Sequence, residues 1–193
     1  MRGSGAYVLI AASLVSAVLG SVHAFSVFLV PLEAAFGVGR GTVSLTYSFA
    51  LVFLTLTVLV GPRIYGRFPP AMIYPGVAFL GALGPLMAGW AGGLWGVWLG
   101  YSLCFGVANG LGYGFGLQYA ARAMPGREGW TMGVVTAAYA LGAVVAPLGF
   151  EAAVDRGGFQ LAMLWLAAQS PGHQNPDIQI KKNARLILPI IAP

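Results

Sequence analysis

Apolar residues run along this chain in long blocks separated by short clusters of charge. No Asp, Glu, Lys or Arg occurs at 3–32, 41–62, 68–121 or 129–150. A helix crosses the hydrocarbon core of a bilayer with roughly 20 apolar residues, so the block 68–121 is too long for one crossing and fits two. Ala91-Gly92-Gly93 supplies the break between them. The pattern predicts helical spans at about 7–30, 43–60, 71–90, 94–118 and 130–150, with a sixth beginning near Phe159. Strands of a closed barrel would alternate polar and apolar residues, and these blocks do not. The expected fold is an all-α integral membrane bundle.

Composition points the same way. With 58% hydrophobic and 8% charged residues, the chain lacks the polar surface to enclose a water-soluble core. The lipid bilayer is its expected surrounding. Arg2, Arg63, Arg67, Arg122 and Arg127 fall at span ends on one side. The opposite loops hold Arg40 and Arg156 together with Glu33, Glu151 and Asp155. Basic loops stay in the cytoplasm, so the N-terminus is expected there, in a plasma (inner) membrane. The arginines mark membrane edges and form no continuous stripe, which argues against nucleic acid as a partner.

The stretch "SAVLGSVHAFSVFLVPL" at 16–32 admits two readings. Val22-His23-Ala24 has the small residues of a signal-peptide cleavage site, yet the apolar run continues past it. Removing the first span would break the match between basic loops and the cytoplasm for the later helices. An uncleaved first helix is therefore expected.

Little in the chain suggests catalysis. Cys104 is the one cysteine, His23 and His173 are the two histidines, and no Cys/His cluster has metal-ligand spacing. No predicted span carries a carboxylate, and no nucleophile has a base beside it. No catalytic residue, cofactor or metal is expected. The glycine-rich "GVANGLGYGFGLQY" at 106–119 misses the G-x-G-x-x-G spacing. Its four-residue steps, Gly106-Gly110-Gly114 and Gly112-Gly116, instead allow helix backbones to approach closely.

An ionisable residue inside a membrane is a functional candidate by default. On a helical wheel Ser13, Ser16, Gly20, His23 and Ser26 form one small or polar stripe. Span four repeats the arrangement with Ser102, Gly106, Asn109 and Tyr113. If the two stripes line one cavity, these groups bond a substrate or its water. If they do not, His23 is a neutral imidazole bonded to a carbonyl and Asn109 is a helix-to-helix hydrogen bond.

"HAFSVFLVPLEAAFGVGRGTVSLTYSF" at 23–49 resembles the first loop and its flanking helices in the monocarboxylate transporter and oxalate/formate antiporter branch of the major facilitator superfamily. The shared pattern is an aromatic-aliphatic pair, Glu33, Phe36-Gly37, Arg40, and Ser44 ahead of Tyr47-Ser48. Residues 110–147 resemble the fourth helix, basic loop and fifth helix of that branch. Gly133, Gly142 and Pro147 keep the spacing of its fifth-helix motif, with Ala146 where the motif carries a glycine. The likeness covers about 7–168.

The resemblance implies the N-terminal six-helix half of a carrier that moves small organic anions, with or without a proton, by alternating access between two halves. It implies that His23, where animal monocarboxylate members carry a functional Lys, binds substrate or couples a proton, with Asn109 and Tyr113 as neutral hydrogen-bond partners. The loop "GPRIYGRFPP" keeps Gly61 and Arg-Phe-x-Pro, which implies a gating or topological part for Arg63 and Arg67. The family's Asp is missing there, its place taken by Tyr65 or Gly66. The superfamily's fourth-helix arginine is also absent, with Ser102 near its position.

After Ala168 the composition changes abruptly. "QSPGHQNPDIQIKKNARLILPIIAP" at 169–193 is too polar and too rich in proline to finish a sixth crossing. A truncated or frameshifted reading frame is expected from that point, with Lys181, Lys182 and Arg185 as a solvated or membrane-surface patch. The partner implied is a missing C-terminal half or a second copy. The alternative is a non-transporting membrane protein acting through helix association.

Overall fold

A computed structural model describes residues 2–169. The tail from residue 170 onward, with His173, Lys181, Lys182 and Arg185, lies outside the described residues. Among the described residues every element is helical. Five helices are long and apolar enough to cross a membrane: α1 (Gly5–Phe36), α2 (Arg40–Arg67), α3 (Ala71–Gly89), α4 (Leu94–Ala123) and α5 (Glu128–Ala168).

All of these helices but α3 overrun the apolar blocks, because backbone hydrogen bonding continues past the charges until local chemistry stops it. Gly37 ends α1 in the left-handed region, φ 63°, with its N–H donating to the Glu33 carbonyl at 2.9 Å. Phe68 ends α2 in extended backbone, as the residue before Pro69 must. Ala91-Gly92-Gly93 does separate α3 from α4.

The longest helix, α5, is broken at Gly157 and Gly158, the latter at φ 67° and ψ −167°, a conformation that glycine alone reaches readily. Beyond the break the chain folds back. The Phe150 and Trp165 rings lie 5.4 Å apart, where an unbroken helix would separate those residues by about 22 Å. The sixth span expected from Phe159 is described as this returning arm, 159–168. It is about 15 Å long, half of the hydrocarbon thickness.

Packing makes α1 and α4 the centre and leaves α2 and α5 with broad exposed faces. Val22, Phe25 and Phe28 of α1 meet Tyr101 and Phe105 of α4, with Phe150 and Met163 of α5. Outward side chains such as Leu56, Leu59, Val144 and Leu148 suit acyl chains. Where lipid removes the hydrophobic drive between helices, small residues set the approach. A Cβ on Gly106 would strike the Ala50 carbonyl, and one on Gly84 the Gly100 carbonyl, at 2.8 and 2.7 Å.

Two helices change winding side by side. α1 tightens to a 3₁₀ helix over Gly20–Phe28, and α4 loosens to a π-helix over Trp98–Phe105. Such changes disturb the carbonyl ladder, and in lipid every carbonyl needs a donor. α4 supplies donors. The Asn109 amide donates to the Leu19 carbonyl at 2.5 Å and the Tyr101 hydroxyl to the Val22 carbonyl at 3.1 Å. Ser102 donates to the Thr46 carbonyl at 2.7 Å and Trp98 to the Thr46 hydroxyl at 3.0 Å, tying α4 to α2.

Candidate functional site

In the 3₁₀ stretch side chains recur every three residues. Val22, Phe25 and Phe28 are therefore buried on one side, while His23 and Ser26 are turned to the open side. The stripe expected along α1 divides along the helix axis, where the α5 backbone at Tyr139 covers Gly20. Ser16 and Gly20 are buried against neighbouring helices, and His23 and Ser26 are exposed.

His23 meets α2 and α5. Its Nδ1 lies 2.7 Å from the Tyr47 hydroxyl. The Tyr47 ring is stacked on Phe25 at an interplanar angle of 10°. Tyr139 stands edge-on to the imidazole, with ring centroids 5.4 Å apart. Its hydroxyl donates to the Asn109 side-chain oxygen at 2.9 Å, and its ring lies 4.5 Å from that of Tyr113. The Tyr113 hydroxyl is 3.2 Å from the Thr136 hydroxyl. Four helices thus contribute to one continuous cluster of imidazole, amide and hydroxyl groups, open at His23 and Thr136.

The expected site residues fall into groups. His23, Asn109 and Tyr113 are linked through Tyr139. Asn109 is fully buried with both ends of its amide engaged, so it supports the cluster from behind. Arg63 and Arg67 are exposed near the end of α2; Arg63 is about 24 Å along the helix from Tyr47. Neither forms an ion pair among the described residues, where Arg40 and Glu33 pair at 2.8 Å. Gly142 is pressed against the Ala17 backbone, whereas Gly133 is exposed with nothing within 4 Å of a Cβ. Helix α5 continues through Pro147.

Tyr47, Tyr139 and Thr136 were not among the expected site residues. The signal for two of them was present, since Thr136 and Tyr139 are the hydroxyl residues in the apolar run 132–150 and stand one helical turn apart. Tyr65 is buried, with its hydroxyl donating to the Leu111 carbonyl at 2.9 Å. It ties α2 to α4. No group of three or more His, Cys, Asp or Glu side chains that would hold a metal occurs among the described residues.

Fold and side chains together define an all-helical protein of membrane type, with a polar cluster set among apolar helices. No protein-family model, curated protein or solved structure matches the chain.

Proposed function

We propose that this bundle is one half of a secondary carrier of the major facilitator type, in the monocarboxylate and oxalate/formate branch its motifs resemble. It binds small organic anions on the open face around His23. The observation that carries this reading is the convergence of His23, Tyr47, Tyr113, Thr136 and Tyr139 from four apolar helices on one face. An ionisable ring among hydroxyls is costly in lipid and is kept where a water-filled path or a substrate meets it.

The geometry supports a division of labour. Protonated His23 pairs with a carboxylate, and neutral His23 holds it more weakly, because only the protonated imidazole carries charge. Tyr113 and Thr136 offer hydroxyls to the anion at the open edge. Asn109 holds Tyr139 and the α1 backbone in place behind them. The chemistry proposed for the cluster is binding and release.

Alternating access requires a second half facing this one, supplied by a further segment or a second copy of the chain. In this reading the N-terminus lies on the cytoplasmic side of a plasma (inner) membrane, which the basic loop ends support. The test is a titration of the chain in lipid nanodiscs with formate, lactate and oxalate. Saturable binding that is lost in His23→Ala supports the reading, and undiminished binding in that variant sinks the role given to His23.

A second reading, a half-size bundle that works through helix association alone, draws on the broad exposed faces of α2 and α5. It predicts a defined cross-linked dimer in the membrane together with no anion binding.

A further inference from the structure

We propose that Tyr47 is a positioning residue that holds neutral His23 in its Nε2–H tautomer, so that an N–H rather than a lone pair faces the open side. The inference rests on the anion-binding reading, and it assigns that site a preference for ligands that only accept hydrogen bonds.

Neutral imidazole has one donor nitrogen and one acceptor nitrogen, and the bond made at one fixes the state of the other. The Tyr47 hydroxyl sits 2.7 Å from Nδ1. A phenol hydroxyl is a better donor than acceptor, and an unprotonated imidazole nitrogen is a strong acceptor. The O–H of Tyr47 therefore donates to Nδ1, and the ring proton resides on Nε2. Among the described residues no carboxylate pairs with His23, so no acidic group competes to draw a proton onto Nδ1.

The surrounding rings keep this bond in register. Tyr47 is stacked on Phe25, and the imidazole stands edge-on to Tyr47 and Tyr139 at interplanar angles of 73° and 81°. Tyr139 is itself held by Asn109. Turning the imidazole over would break the contact with Tyr47 and place a C–H against its hydroxyl.

The consequence is selectivity. A carboxylate is acceptor-only and suits an outward Nε2–H; an ammonium group, which only donates, does not. When the ring takes up a second proton, that proton enters at Nδ1 and the Tyr47 hydroxyl turns to accept from it. Nε2–H keeps facing the anion, and the added charge strengthens its hold.

The test is heteronuclear NMR on the whole chain in nanodiscs, with isotope-labelled histidine, at a pH where the ring is neutral. His23 signals are assigned by their loss in His23→Gln. The expected spectrum has a protonated Nε2 and an unprotonated Nδ1 shifted by its hydrogen bond. In Tyr47→Phe, which keeps the stacked ring, that shift disappears and both tautomers are populated. In Tyr139→Phe the wild-type tautomer persists. A wild-type ring protonated at Nδ1, or a spectrum unmoved by Tyr47→Phe, overturns the proposal. The spectra require no anion, so failure of the titration beside the expected tautomer removes only the anion reading, and the reverse pattern removes only the assignment to Tyr47.

Discussion

Gly142 of α5 lies so close to Ala17 of α1 that the Ala17 carbonyl fills the space a side chain on Gly142 would need. About one turn along, the relation is returned: Gly20 of α1 is pressed in the same way against the Tyr139 carbonyl of α5. Each helix thus brings a side-chain-free surface to the other's backbone. In lipid such close approach is a main source of helix association.

Gly142→Ala must push two backbones apart, and backbone has no rotamer to yield. The expected cost is about 1–3 kcal/mol, read as earlier unfolding in denaturing detergent. Gly133→Ala is the internal control, since a Cβ there meets nothing within 4 Å. Its expected effect is about 0.5 kcal/mol or less. Equal losses in the two variants would contradict the packing assigned to Gly142.

Asn109 joins α1 to α5 through two hydrogen bonds, donating to the Leu19 carbonyl and accepting from Tyr139. Asn109→Leu leaves both partners unpaired in a dry interior. The expected loss is about 1 kcal/mol, in the range of polar contacts between membrane helices. Combining it with Tyr139→Phe should cost less than the sum of the single changes, because one bond is shared. A strictly additive double mutant argues that the two side chains do not meet.

The α1 stripe shows how far the sequence could be read. Steps of three and four along an ordinary helix place Ser13, Ser16, Gly20, His23 and Ser26 on one face, and that holds only while the winding is constant. From Gly20 to Phe28 the turn is three residues. Burial there follows Val22, Phe25 and Phe28, while Gly20, His23 and Ser26 share another line, on which the Tyr139 backbone covers Gly20 and leaves His23 and Ser26 exposed. Nothing local announces the change, since Asn109 and Tyr101, which bond carbonyls at that stretch, are 90 and 79 residues from their acceptors. The long apolar blocks were legible because a bilayer demands them residue by residue. In the sequence Tyr47 stands out only as part of a motif, because its place beside His23 depends on how α2 docks on α1.

Tyr65 carries a separate prediction. Tyr65→Phe keeps the ring against Phe115 and removes the hydroxyl that bonds the Leu111 carbonyl. The expected destabilisation is about 0.5–1.5 kcal/mol, with no change in anion binding, because this tie lies toward the other end of α2 from Tyr47. A loss of binding without a loss of stability would reassign Tyr65 to the site.

Anion affinity should depend on pH through His23. The charged imidazole attracts a carboxylate, so binding strengthens as pH falls and weakens as it rises. His23→Ala should lose binding at every pH while leaving the helical content of the chain unchanged. The comparison uses formate titrations at several pH values beside circular dichroism. A slope that persists in the variant assigns the titration to another group.

The tight winding of α1 also alters how far the helix reaches. A 3₁₀ stretch advances about 2.0 Å per residue against 1.5 Å for an α-helix, so Gly20–Phe28 extends α1 by about 4.5 Å. That extra length carries Pro31 and Glu33 outward, toward the start of α2, where Glu33 grips Arg40 at 2.8 Å. Rewinding the stretch as α-helix would shorten α1 and draw that ion pair inward.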